Sequence, residues 1–142
     1  MNALRTWLAA IALAVPLAVG ANPKDDEWLK GRLFPPDVVL KHQAALKLTD
    51  AQRQAIRREI AAVQGKVATV DFDIMDAAVA FQSALDAPTL DRAQVLAQAD
   101  KVFEADARKK RAWIEMLLNI RAVLNAEQVA YLRRVTADGG ER

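Results

Sequence analysis

No cysteine occurs in the 142 residues, which excludes disulfides, thiolate metal sites, cysteine nucleophiles and a lipid anchor on an amino-terminal cysteine. The fold must be held by packing alone. There is one serine, Ser83, in a helical stretch with no histidine nearby, so an acyl-transfer nucleophile lacks its base. The five glycines form no phosphate-cradling loop, and Asp71 and Asp73, two residues apart, point to different faces of a helix. The chain therefore reads as a protein without catalysis, and it needs no cofactor. The formal charge of +2 is too small to imply nucleic acid, and the basic run Lys109-Lys110-Arg111 adjoins acids.

What is abundant is apolar and favours helix. Hydrophobic residues make up 53% of the chain, and many are alanines, which promote helix more than they fill volume. Arg5 precedes an apolar run from Trp7 to Val19, with small residues at Gly20 and Ala21. That order predicts a secretory signal peptide over 1–21, too short to span a bilayer and cleaved after Ala21 or Gly20 to leave a soluble chain. Residues 22–36, interrupted by Pro23, Gly31 and Pro35-Pro36, read as an irregular arm whose Trp28, Leu29, Leu33 and Phe34 could dock on its own hairpin or on another subunit. Residues 136–142, with Gly139-Gly140, read as a disordered tail.

Between arm and tail, residues 37–135 carry two related stretches, Leu48-Thr49-Asp50-Ala51-Gln52 and Leu124-Asn125-Ala126-Glu127-Gln128. Each is a helix start: a polar side chain caps unpaired backbone N–H groups, and a Gln three positions on reaches back to the cap's own N–H. The second also carries an apolar staple, Leu124 with Val129; the first has Arg53 in the matching place. Two Leu-(Thr/Asn)-x-x-Gln boxes bracketing a helical hairpin behind an export signal resemble the LTxxQ family of periplasmic proteins. That family includes the Spy/CpxP-type chaperones and the periplasmic heavy-metal sensor and resistance proteins. The resemblance covers about Phe34 to Val135, and Asn125 stands where the family favours Thr.

The expected architecture is all-α, with four helices. A short helix from about Asp37 to Lys47 leads to a long one, where Ile56, Ile60, Val63, Val67, Val70, Ile74, Ala78, Phe81 and Leu85 recur in steps of four and three. Asp86-Ala87-Pro88-Thr89 turns the chain, with Thr89 or Asp91 capping a second long helix from about Leu90 to Leu124. Its stripes are Leu96, Ala99 and Phe103 early, then Trp113, Ile114, Leu117, Ile120 and Leu124 late. From Glu104 to Arg111 it is polar all round, which predicts a waist that is not deeply buried. The long helices form an antiparallel hairpin, across which a short last helix, Ala126 to about Val135, turns back.

So thin a hairpin cannot hide apolar residues on both sides, which predicts a cradle-like homodimer with one strip left open. Ile56, Ile60, Trp113 and Leu117, with Arg57 and Lys110 beside them, are the candidate client or dimer surface. The resemblance implies ATP-independent holding of unfolded or misfolded periplasmic proteins, with possible feedback on a stress-sensing histidine kinase or anti-sigma system. The alternative it implies is a heavy-metal sensor or resistance protein. The metal-sensing branch places histidines before the first box, a Glu on the next helix and a His and Met late on the following one. Here His42, Glu59 and Met116 lie in those regions, with no second histidine. Because His42 sits on an apolar stripe and a transition-metal site wants several convergent donors, it reads first as a partly buried core residue.

Overall fold

The computed structural model describes residues 29–138, so the expected signal peptide, the arm as far as Trp28 and the tail from Gly139 lie outside the described residues. Four helices follow in order: α1 (Pro36–Lys41), α2 (Asp50–Leu85), α3 (Arg92–Ala122) and α4 (Ala126–Asp138). The expected four-helix, all-α hairpin is what forms, with α2 and α3 packed along their length.

Local chemistry explains the boundaries. Thr49 caps α2 and Asp91 caps α3, each accepting a bond from the backbone N–H three residues on. Gly65 does not interrupt α2, which runs 36 residues. The first helix is shorter than expected. After Lys41 the chain tightens into turns that close with bonds from Lys47 N to Ala44 O (3.1 Å) and Leu48 N to Gln43 O (3.2 Å), around Lys47 at φ 50°. This is the Schellman pattern, here with a lysine in the left-handed position that glycine usually fills. It turns the chain so that Leu48 is buried directly before the cap of α2. The last helix outruns its expected end by three residues, and Thr136 Oγ1 donates back to Leu132 O at 2.8 Å.

The main core lies at the closed end, where α1, the amino-terminal part of α2, the carboxy-terminal part of α3 and α4 meet. Phe34, Val39, Ile56, Ile120 and Leu132 are sealed there, each worth about 1.5–3 kcal/mol on burial. Leu29 and Phe34 join this cluster, and Arg133 Nε donates to Gly31 O at 3.2 Å. The described part of the arm therefore docks on its own chain.

Two expectations for α3 are corrected. Leu96 and Phe103 are exposed rather than inward-facing, and the inner stripe instead runs through Ala99, Val102 and Ala105 to Ala112. The waist is buried on that side, with Ala105 at 1% exposure. Alanine carries little weight in a hydrophobic pattern, yet its size lets two helix backbones come close, so small residues face inward while large ones remain outside. The charges at the waist leave sideways: Lys109 Nζ meets Asp71 at 2.6 Å, Arg108 meets Asp73 at 2.9 Å, and the buried Asp106 is held by Lys110 at 2.8 Å. The acids of the tip and the bases of the waist, separate blocks in the sequence, are thus partly paired across the hairpin.

Candidate functional site

Both boxes form as capping boxes. Thr49 N donates to Gln52 Oε1 at 3.0 Å and Gln52 N to Thr49 Oγ1 at 3.1 Å; Asn125 N and Gln128 N make the matching bonds to Gln128 Oε1 and Asn125 Oδ1, both at 2.9 Å. The staple of the second box is present, with Leu124 and Val129 both buried. In the first, Arg53 Nη1 donates to Leu48 O at 2.7 Å, a polar fastening in the place of the apolar one.

The two glutamines then bond to each other. Gln52 Nε2 donates to Gln128 Oε1 at 2.8 Å and Gln128 Nε2 to Gln52 Oε1 at 3.1 Å. The remaining amide hydrogens reach loop carbonyls, Gln52 to Val123 O at 2.7 Å and Gln128 to Leu46 O at 3.0 Å. Each primary amide offers two donors and two acceptor positions, and here all four are used. Capping chemistry accounts for only one bond per glutamine side chain. The other three draw the start of α2, the start of α4 and the loops before them into one joint, which no local pattern announces. The recurrence of the motif at a distance of 76 residues is the only sequence signal that could have suggested it.

The residues read as a contact surface separate into three groups. Ile56 and Leu117, at 0% and 4% exposure, belong to the chain's own core and cannot meet a client or a second subunit. Ile60 and Trp113 are half-buried against that core. Arg57 and Lys110 are exposed. The recurring stripe was the hairpin's internal seam, since periodicity finds whichever face is apolar and here the inner one is longest. Large exposed apolar residues lie elsewhere: Leu96, Phe103 and Leu118 on α3, Phe72, Met75 and Val79 on α2, and Leu85 and Leu90 at the tip. Leu96, Phe103, Lys110, Ile114 and Leu118 recur at sevens and fours along one side of α3, an apolar strip with a lysine in it.

The three residues weighed as metal donors have other partners. His42 Nδ1 lies 3.4 Å from the Tyr131 hydroxyl, with the rings edge to face at 5.7 Å, and the Arg134 guanidinium lies 6.0 Å from the centre of the Tyr131 ring. Glu59 accepts from Asn119 Nδ2 at 2.9 Å, while Met116 is sealed in the core at 2% exposure. Among the described residues, no three His, Cys, Asp or Glu side chains gather as a metal site would require. Two open grooves flank the waist. One of about 380 Å³ is lined by Lys66, Arg108, Arg111 and Glu115 over Val70 and Ala112; the other, of about 390 Å³, carries Asp73, Asp76, Glu104, Lys101 and Arg108. Both mix charges of either sign, and Arg108 already engages Asp73. No described helix is long and apolar enough to cross a membrane.

Residues 7–130 match the model of a family described as heavy-metal resistance. No curated protein and no solved structure matches the chain. The match takes in both boxes and the whole hairpin between them, and on that extent the chain belongs to the heavy-metal resistance family.

Proposed function

We propose that this protein serves heavy-metal resistance in the bacterial periplasm and does so by contact with other proteins rather than by catalysis. The observation that carries the role is the family match over residues 7–130. The exposed strip of α3 supports the mode of action, because large apolar side chains left in water mark a surface that meets something. His42 is the one imidazole offered to a metal, and a lone imidazole beside a tyrosine makes a weak site at best. The sensor-type role therefore rests on the protein partner, with a stress-sensing kinase or anti-sigma system as the class that fits.

Deleting the gene and challenging the cells with zinc, copper and nickel salts tests the role. The expected result is loss of growth at concentrations the parent strain tolerates; equal growth in all three metals would remove it. Titration of the purified protein with the same ions tests the mode, and submicromolar binding abolished by His42→Ala would make the protein a direct metal binder.

A second reading is ATP-independent holding of unfolded envelope proteins, for which the exposed Leu96, Phe103 and Leu118 beside Lys110 would be the contact surface. Light scattering of several denatured clients, with and without stoichiometric protein, decides it. Absence of protection for all of them would leave the regulatory role alone.

A further inference from the structure

We propose that the more basic of the two grooves at the waist is a binding site for a tetrahedral dianion, the chemistry shared by phosphate, sulfate and metal oxyanions such as chromate and molybdate. Its walls bring Lys66 of α2 together with Arg108 and Arg111 of α3 around about 380 Å³ of open space, with Glu115 as the one acid in the lining and Val70 and Ala112 between the charged walls. Arg108 and Arg111 stand three residues apart on α3, so their side chains rise from neighbouring turns on one flank. The other groove, where three acids accompany two bases, has no such excess of positive charge.

Three features choose an oxyanion as the ligand. The chain itself uses the cations only in part. Arg108 commits Nη2 to Asp73 at 2.9 Å and Arg111 commits Nε to Glu115 at 3.2 Å, and a guanidinium has five N–H donors in all. Lys66 Nζ stands 3.9 Å from Glu115, beyond hydrogen-bond reach, so the ammonium is drawn over the groove without being tied there. The surroundings carry the same sign: residues 29–66 and 107–138 hold fifteen Lys and Arg against six Asp and Glu, whereas residues 67–106 hold two bases against eight acids. The groove lies at the edge of the positive half, whose field draws a small anion towards it. Lastly, two guanidiniums offer planar forks of donors that match the spacing of oxygens on a tetrahedral anion, which a pair of lysines does not. All four charged side chains are about half or more exposed, so binding should be weak, at about 0.1–1 mM.

This inference does not depend on the functional reading, since the groove shares no residue with the exposed strip of α3. Its test is titration of the isotope-labelled protein with phosphate, sulfate, chromate and molybdate, followed by amide chemical shifts at constant ionic strength, with chloride and acetate as controls. Saturable shifts confined to the neighbourhood of residues 66–70 and 108–115 are expected for the dianions and not for the controls. Arg111→Gln should weaken binding about fivefold, and Glu115→Gln should tighten it about threefold by removing the one repelling carboxylate of the lining and releasing Lys66 and Arg111. Arg57→Gln, in the same positive half but outside the groove, should leave it unchanged, and circular dichroism shows that each variant keeps its helix content. Tighter binding of chromate and molybdate would make the ligand a metal oxyanion, and tighter binding of phosphate and sulfate a nutrient anion; either supports the site. Shifts that do not saturate or that spread over all the basic residues, or binding that Glu115→Gln fails to strengthen or Arg111→Gln to weaken, overturns it.

Discussion

Gln52 and Gln128 are the residues on which most else turns. Helix caps are ordinarily local devices, each worth about 1 kcal/mol. Here the side chain that completes one cap also accepts from and donates to the side chain that completes the other. Replacing Gln128 by Leu would strand Asn125 N–H, Leu46 O and half of the Gln52 amide, at a cost of about 2–3 kcal/mol in urea unfolding. Gln52→Leu should cost a similar amount. Because the two substitutions break the same bonds, the double variant should lose at least about 1 kcal/mol less than their sum; simple additivity would show that the boxes act separately. Capping at both positions was legible in the sequence, since Ser, Thr, Asn or Asp followed by Gln three residues later is a local signature. The pairing was not, because it depends on where two distant helix starts come to rest. His42 shows the same limit: its apolar stripe was readable, its Tyr131 neighbour 89 residues away was not.

At the scale of the element, α2 and α3 show what a hydrophobic period tells and what it omits. For α2 the period of 3.5 located the seam correctly at Ile56, Val63, Val67 and Val70. On α3 it places Leu96, Ala99 and Phe103 inward, whereas only Ala99 of the three is packed, and the buried face continues through Val102 and Ala105. A close helix pair is limited by backbone approach, so small residues win the inner positions over large ones. Ala105→Leu puts that to the test. At 1% exposure the added atoms have no room, and stability should fall by about 1–3 kcal/mol with a lower melting temperature. An unchanged melting curve would mean that the helices are not in close contact at the waist. Charge patterning misled in a related way, because residues 104–111 look solvated on every side until Asp71 and Asp73 arrive from the other helix to meet Lys109 and Arg108.

Taken whole, the molecule is unevenly built. The closed end gathers Leu29, Phe34, Val39, Leu46, Leu48, Ile56, Ile120, Leu124, Val129 and Leu132 around the glutamine joint, while the tip keeps Ala84 as its one sealed side chain between Val70 and Leu96. Amide hydrogen exchange should follow that division. Protection is expected to be highest around Ile56, Ile120 and Leu132 and to fall by orders of magnitude towards Leu85 and Leu90, where few buried contacts oppose opening. Uniform protection along both long helices would contradict this. Fold class and helix order were readable from the sequence because the hairpin's inner period is long and its ends are capped and turned by proline. The outer faces were harder to read, since nothing in a period says whether an apolar stripe is covered.

The proposed mode of action rests on that outer surface: a member of the heavy-metal resistance family with one histidine, no cysteine and an exposed apolar strip on α3 is expected to act by touching a partner rather than by gripping the metal. The most direct measurement is growth of a deletion strain under zinc, copper and nickel, complemented either with Phe103→Glu combined with Leu118→Glu or with His42→Ala. The α3 variant, although folded and exported, is expected to fail to restore tolerance, whereas His42→Ala is expected to restore it. Restored tolerance with the α3 variant and lost tolerance with His42→Ala would contradict the proposed mode of action.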